Sequence, residues 1–101
     1  MNQNFVDKLK AGEVIQFRPR GNSMKPKINS GNLVTISPDV DELKPDDIVF
    51  CKVKGRFFVH LIKSISRKDG GKRFQIGNNK GHINGTIGES AVFGKVVRVE
   101  S

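Results

Sequence analysis

Two side chains of this sequence have the chemistry of a nucleophile and a base. Ser23 lies in the segment Gly-Asn-Ser-Met-Lys-Pro at residues 21–26, and His60 lies in the apolar run at residues 57–62. A serine hydroxyl attacks a carbonyl only when a neighbouring base takes its proton. Glycine before the serine permits a backbone conformation closed to other residues, and Pro26 fixes φ shortly after it. The pattern predicts a turn that presents the Ser23 hydroxyl, with His60 on a strand as the best acceptor of its proton.

Each of these residues has an ordinary structural explanation when it is considered alone. An isolated serine in a turn most often caps its own backbone, and a histidine in an apolar strand is more often a core residue than a catalyst. Lys63 is an alternative base, but three positions beyond His60 on a strand it should face the other side of the sheet. His82 lies in a glycine-rich loop and is expected to be solvated. The prediction of a site therefore depends on Ser23 lying opposite His60.

Length and charge limit what the chain can be. Its 101 residues predict one domain over residues 1–101, with a modest core. Eighteen Lys and Arg against ten Asp and Glu give a net charge of +8, with no block of like charges. Such a surface attracts nucleic acid or an acidic protein without identifying either, and a solvated surface is the simpler interpretation. The oligomeric state stays open.

Location and cofactors are predicted from what the sequence lacks. No apolar run approaches the roughly 20 residues that span a bilayer, and residues 1–5 lack a basic region followed by a hydrophobic one. We therefore expect a cytoplasmic protein without a membrane span. Cys51 is the single cysteine and is predicted to be a buried strand residue. Two histidines and one cysteine are too few for a metal site, so neither a metal nor another cofactor is expected.

The hydrophobic pattern predicts a mainly β fold with one short helix at the N-terminus. Asn4 is predicted to cap a helix over residues 5–10 that stops at Gly12. Alternating apolar side chains predict strands over residues 13–18, 33–36, 48–54, 56–66, 73–76 and 91–99. Hairpin turns are expected at residues 54–55 and 67–72. The Gly/Asn-rich segment 77–88 is predicted to be a loop.

Four segments resemble, in order, the sequence boxes of the LexA/signal-peptidase superfamily of serine peptidases, particularly its small members without a membrane anchor. They are residues 17–26, 31–36, 45–50 and 93–99, so the resemblance covers nearly the whole chain. It implies a fold of several short coiled β-sheets, a Ser23 nucleophile, and a base on the hairpin strand after the third box. There, bacterial signal peptidases and LexA-type repressors have lysine. His60 stands at the matching position, as in the archaeal and endoplasmic-reticulum signal peptidases.

The swap of lysine for histidine changes what the site requires. Histidine has a reference pKa of about 6.5 and is mostly neutral at pH 7, whereas lysine, at about 10.4, must be buried to act as a base. The oxyanion is expected to rest on backbone N–H groups of the turn at Gly21, Asn22 and Ser23, chiefly the N–H of Ser23. The resemblance further implies that Met24 and Pro26 lie beside the substrate cleft.

A third residue should orient the histidine, and here the chain departs from its relatives. Histidine-type members carry Gly-Asp-Asn-Asn-x-x-x-Asp on a late loop, and the matching residues 77–84 have Asn78 and Asn84 in place of both aspartates. An amide accepts the imidazole proton but supplies no charge, and the corresponding Asp→Asn change in a serine protease costs about 10⁴ in rate. We therefore expect a serine peptidase that uses a Ser23–His60 dyad on peptide or protein substrates, with activity that is weak or absent. The alternative is a catalytically silent module that binds nucleic acid or an acidic protein, for which Phe57 and Phe58 offer stacking faces.

Overall fold

Seven antiparallel strands form one sheet, and a short helix precedes them. The computed structural model describes residues 3–101. In chain order the elements are α1 (Gln3–Lys10), β1 (Ile15–Phe17), β2 (Leu33–Ser37), β3 (Ile48–Val53), β4 (Arg56–Lys68), β5 (Gly71–Gly77), β6 (Ile83–Gly88), one 3-10 turn (Glu89–Ala91) and β7 (Val92–Glu100). The strands lie in the order β1-β2-β7-β3-β4-β5-β6. The prediction of a mainly β fold with one short N-terminal helix is confirmed, and the strands join one sheet where several short sheets were expected.

Alternating side chains send apolar residues to both faces of the sheet, which gives two cores. Phe50 is fully buried in the first core, beneath α1 and β1. The centroids of four other phenylalanine rings lie 5.6 to 6.4 Å from its own, and these rings belong to Phe5, Phe17, Phe57 and Phe93. The second core contains its neighbour Cys51, also fully buried, which agrees with the prediction for this residue.

We expect Phe50→Ala to lower the free energy of unfolding by about 3–5 kcal/mol, because it removes a ring enclosed by other rings and leaves a cavity. Denaturant unfolding followed by circular dichroism measures this loss. Val14→Ala is the matched control, since Val14 is 60% exposed and its truncation should stay within about 0.5 kcal/mol of the parent. Equal stability of the two variants would contradict the packing described above.

Local structure differs from the prediction at the helix start. The helix already includes Gln3, the first residue that the structure describes, so Asn4 lies within the helix and is not the cap that the sequence predicted. The side-chain amide of Gln3 supports this end of the helix by donating a hydrogen bond of 3.1 Å to Asp7 Oδ1 across one turn. Gly12, with φ of 87°, follows the helix end as expected.

The segment predicted as a loop over residues 77–88 contains a strand. Its second half forms β6, which pairs with β5 in a register that sets Ile87 opposite Phe74. The strand escaped prediction because Ile87 is the one residue of β6 that is buried, and its neighbours are mostly Gly, Asn and Thr. The hairpin turn before β5 is shorter than the predicted segment 67–72 and consists of Asp69 and Gly70. Their φ values of 52° and 80° are typical of a tight type I′ turn.

One edge of β4 remains open where the functional residues lie. The β4–β5 ladder begins at the pair Leu61–Gly77, whereas β3 pairs with β4 from Arg56 onward. Residues 56–60 therefore pair with β3 alone among the described strands. His60 is the last residue of this half-open stretch, and the turn that carries Ser23 lies across from it.

Candidate active site

Three side chains form a continuous hydrogen-bonded chain. Ser23 Oγ lies 3.1 Å from His60 Nε2, and His60 Nδ1 lies 2.7 Å from Asn84 Oδ1. An amide oxygen can only accept a hydrogen bond, so the Nδ1 nitrogen of His60 carries the proton. Nε2 is then left with a free lone pair, to which the Ser23 hydroxyl donates. The arrangement joins a hydroxyl, a neutral imidazole and an oriented acceptor in the order that proton abstraction from serine requires.

Apolar side chains anchor the turn that presents Ser23. Met24 and Ile28, both 4% exposed, insert into the first core, and the N–H of Ile28 donates to the carbonyl of Met24 at 3.0 Å. Gly21 has φ of 108°, a conformation that favours glycine. The hydroxyl is therefore presented by a turn that the core holds directly after the serine, which limits its freedom.

Asn79 ties the late loop to the serine turn, a role that sequence reasoning missed. Its N–H donates to the carbonyl of Ser23 at 2.9 Å, and its side-chain amide donates to the carbonyl of Lys25, also at 2.9 Å. One short segment thus supports the serine through Asn79 and the histidine through Asn84. The only signal in the sequence was the run of asparagines in this segment, which does not indicate which backbone it would contact.

The two asparagines at the expected aspartate positions have different roles. Asn84 contacts His60, whereas Asn78 closes its own loop, because its Oδ1 accepts the N–H groups of Lys80 at 2.8 Å and His82 at 3.0 Å. The sequence left the choice between them open. Within the described residues, Asn84 is the one that meets the imidazole.

Lys63 contacts the late loop and does not line the cleft. Its ammonium donates to the carbonyl of Asn78 at 3.4 Å, and its stem lies over Gly77. Lys63 lies at an irregularity in the β4–β5 ladder between Ile62 and Ser64, where an extra residue locally interrupts the pairing. Lys63 therefore binds the backbone of the late loop, while His60 makes the contact with Ser23.

A cleft of about 320 Å³ opens beside the Ser23 hydroxyl. Met24 lines it, as expected, and so does Gly21 of the predicted oxyanion turn. Pro26, which was also expected beside the cleft, does not line it and is exposed to solvent, as is Asn22. Pro26 points away because Met24 and Ile28 on either side of it are the residues that turn toward the core. The full lining comprises Pro19, Arg20, Gly21, Ser23, Met24, Ile28, Phe57, Phe58, Val59, His60, Asn78, His82 and Asn84.

Burial sets the protonation of His60, which is 7% exposed. Desolvation lowers its pKa below the usual 6.5; the hydrogen bond to Asn84 opposes this, and the charge of nearby His82 adds to it. The Phe58 ring, with its centroid 4.8 Å from that of the imidazole, supplies part of the apolar surroundings. His82 itself is exposed, as expected, although it lines the cleft. The imidazole is therefore neutral at pH 7 and free to accept a proton.

Among the described residues we also looked for a reactive cysteine, a metal site and a membrane-spanning helix. Burial raises the pKa of the Cys51 thiol to about 12, so it stays protonated and unreactive. Across residues 3–101, His, Cys, Asp and Glu side chains form no group of three that could hold a metal ion. Over the same stretch, no helix combines the length and apolar character that crossing a membrane needs.

Asn79→Ala should lower the stability of the folded chain by about 1 kcal/mol, because the Lys25 carbonyl loses its side-chain donor. The backbone bond from residue 79 to Ser23 remains in this variant. Thermal unfolding measures the loss, and Asn29→Ala is the matched control, since Asn29 is exposed and takes part in a hydrogen bond through its backbone N–H. The same loss in both variants would contradict the role given to Asn79.

A known family accounts for the sheet and for the segments that carry Ser23 and His60. The family model described as Peptidase S24-like matches residues 2–97, a span that includes both side chains. The chain belongs to the Peptidase S24-like family, and the resemblance to the LexA/signal-peptidase superfamily is confirmed. No curated protein matches the chain.

Proposed function

We propose that this protein is a serine peptidase in which His60 activates Ser23 and Asn84 orients His60. The observation that carries the proposal is the hydrogen-bonded chain from Ser23 Oγ through the imidazole to Asn84 Oδ1, with separations of 3.1 and 2.7 Å. Both distances fall within the range in which a base takes a proton from a nucleophile. The family match supports peptide-bond hydrolysis as the class of reaction, and the distances in this chain support Ser23, His60 and Asn84 as the residues involved.

The reaction proceeds by acyl transfer. Ser23 Oγ attacks the carbonyl carbon of the scissile bond as its proton passes to His60 Nε2, and the imidazolium then protonates the leaving amine. Water repeats the sequence on the acyl group, with His60 again as the base. The N–H of Ser23 has no hydrogen-bond partner within the described residues, whereas the N–H of Gly21 donates to Ser30 Oγ at 3.5 Å. The N–H groups of Ser23 and Asn22, for which no partner is found among the described residues, are thus the turn donors available to the developing oxyanion.

The amide at position 84 limits the rate of this chemistry. Asn84 fixes the imidazole in the productive tautomer, since its oxygen accepts the proton on Nδ1. It brings no negative charge to stabilise the imidazolium that forms when Ser23 attacks. We therefore propose slow turnover, limited by charge stabilisation and not by the position of the nucleophile.

The cleft favours an extended peptide with an apolar side chain near the scissile bond. The open edge of β4 at residues 56–60 offers backbone groups to which an extended segment can pair. Next to it, the side chains of Met24, Ile28 and Phe57 form an apolar wall. Arg20 adds a positive charge at the rim, and none of the lining residues is acidic. A segment that carries an apolar residue and a nearby carboxylate matches this surface.

Incubation with an unfolded, chemically blocked protein tests the proposal, because such a protein offers many different peptide bonds at once. Sequencing of the new termini by mass spectrometry should reveal cleavages that cluster beside apolar residues. The Ser23→Ala variant, purified in the same way, is the control for contaminating peptidases. Cleavage of equal extent and equal specificity by this variant would rule out the proposed reaction.

The pH dependence of hydrolysis should follow the lowered pKa of His60. Only the neutral imidazole accepts the Ser23 proton, so kcat/KM should rise with pH along a curve whose midpoint lies below pH 6.5. A larger share of the activity should thus persist at pH 6 than an unperturbed histidine would allow. Initial rates from pH 4 to 9 at constant ionic strength measure the profile. A midpoint above pH 6.5 would contradict the burial assigned to His60.

A silent binding module remains the second candidate, favoured by the hairpin of β4 and β5. This hairpin carries Arg67, Lys68, Lys72 and Arg73, and its register sets Arg67 directly opposite Lys72. Among the described residues, ion pairs join Lys95 to Asp47 and Arg98 to Glu100, and none involves the hairpin. Titration with single-stranded DNA at increasing salt tests this candidate. Binding that weakens steeply with salt supports it, and binding indifferent to salt contradicts it.

A further inference from the structure

Asn84 stands in a sequence context that permits a covalent change. It is followed by Gly85, and this is the only Asn-Gly pair in the 101 residues. Glycine has no side chain to hinder its backbone nitrogen, which can approach the preceding amide carbon more closely than that of any other residue. Asn-Gly pairs are for this reason where the side-chain amide of asparagine is most readily lost.

The structure places Asn84 where the strand constrains it least. The β5–β6 ladder pairs Ile76 with Gly85 and Gly77 with Ile83, so Asn84 is the extra residue of a bulge. Strand β6 also lies at the edge of the sheet, and the Asn84 side chain is half-buried, within reach of water. A regular strand protects asparagine by holding the backbone in its ladder. Asn84 lacks part of that protection.

His60 polarises the reacting amide. Its Nδ1–H donates a hydrogen bond to Asn84 Oδ1, with 2.7 Å between the nitrogen and the oxygen. Negative charge develops on this oxygen when a nucleophile adds to the amide carbon. The same contact favours water attack on the side-chain carbonyl of a cyclic intermediate, which yields ordinary aspartate. Attack on the main-chain carbonyl would yield isoaspartate instead.

We propose that Asn84 is a modification site, at which spontaneous deamidation converts the orienting amide into a carboxylate. The Gly85 nitrogen bonds to Cγ of Asn84, the Cγ–Nδ2 bond breaks, and ammonia leaves with the proton from Gly85. Water then adds to Cγ, the bond from Cγ to the Gly85 nitrogen breaks, and that nitrogen regains a proton. The net change is the gain of one water and the loss of one ammonia, with no change in oxidation state.

The consequence for catalysis rests on the proposed function. An aspartate at position 84 accepts the same Nδ1 proton and adds the charge that the imidazolium lacks. The chain as synthesised is then a slow form, and the deamidated chain is the active one. The modification itself does not depend on that function, because its chemistry needs only Gly85, His60 and water.

Peptide mapping of the folded protein, aged at pH 8, tests the inference by mass and not by activity. Tryptic residues 81–95 should gain the mass of an amide-to-acid conversion faster than the peptides with Asn22 and Asn29, both followed by serine. Fragmentation should assign mostly aspartate at position 84, whereas the chain aged in urea should give mostly isoaspartate. Asn84→Gln should keep residues 81–95 unchanged. An Asn84 that stays amidated or converts no faster than Asn22 and Asn29, or isoaspartate as the main product in the folded protein, would overturn the proposal.

Discussion

Ser23→Ala and His60→Ala should each lower kcat/KM for a cleaved peptide by about 10², and the double variant should be no worse than either single one. A serine protease triad loses about 2 × 10⁶ without its serine or histidine, and about 3 × 10⁴ of that is already lost without its aspartate. The two side chains form one proton-transfer unit, joined at 3.1 Å, so removal of either leaves the other without a partner in the reaction. Initial rates on one defined peptide measure all three variants. If the loss of activation free energy in the double variant equalled the sum of the losses in the two single variants, the residues would act separately.

Ser66→Ala provides the matched control for the nucleophile. Ser66 is exposed on the far half of β4, where that strand pairs with β5, and it is outside the cleft lining. The Ser66→Ala variant should hydrolyse the peptide at the same rate as the parent protein. Circular dichroism of the Ser23→Ala and His60→Ala variants verifies that the sheet persists, so that a loss of rate can be assigned to chemistry. Hydrolysis that survives Ser23→Ala at the parental rate would refute the assignment of the nucleophile.

Asn84→Asp should raise kcat by up to about 10⁴, the factor by which the reverse change slows a serine protease. The carboxylate would accept the proton on His60 Nδ1 at the position that Asn84 Oδ1 now occupies and would stabilise the imidazolium in the transition state. The same charge raises the pKa of His60, so the midpoint of the pH profile should move upward. Rates and pH profiles of freshly purified protein measure both effects.

Asn78→Asp separates the effect of position from that of charge. Both substitutions add one negative charge on the late loop, but the Asn78 side chain bonds to the N–H groups of Lys80 and His82 and not to His60. We expect no comparable gain from it. A gain at position 78 that matches the gain at position 84 would indicate a general electrostatic effect and would contradict the role given to Asn84.

The nucleophile and the base could be predicted from the sequence because their signals are local. Gly21 and the proline after Ser23 indicate a turn within a few residues, and the apolar run around His60 indicates a strand. The distance between them could not be predicted from pattern alone, because their positions are 37 apart in sequence and their meeting depends on how β4 lies against the serine turn. The family resemblance supplied that link.

The late loop shows where prediction from pattern ends. Residue spacing fitted Asn78 and Asn84 equally well to the expected positions. In the structure Asn84 lies at the bulge of β6 and reaches the imidazole, whereas Asn78 bonds within its own loop. Asn79 was missed because both of its partners are backbone carbonyls, which leave no trace in residue type. The contact of Lys63 with the Asn78 carbonyl could not be predicted either, since it lies at an irregularity of the ladder between Ile62 and Ser64 that the residue types do not indicate.

Mapping of the adduct formed by a serine-directed phosphonylating probe tests the central claim most directly. The probe needs an activated hydroxyl and no peptide substrate, and mass spectrometry identifies the residue that carries it. We predict one adduct per chain, on Ser23, lost in Ser23→Ala and strongly reduced in His60→Ala. Labelling of another residue, or equal labelling of all three proteins, would contradict the assignment of Ser23 and His60.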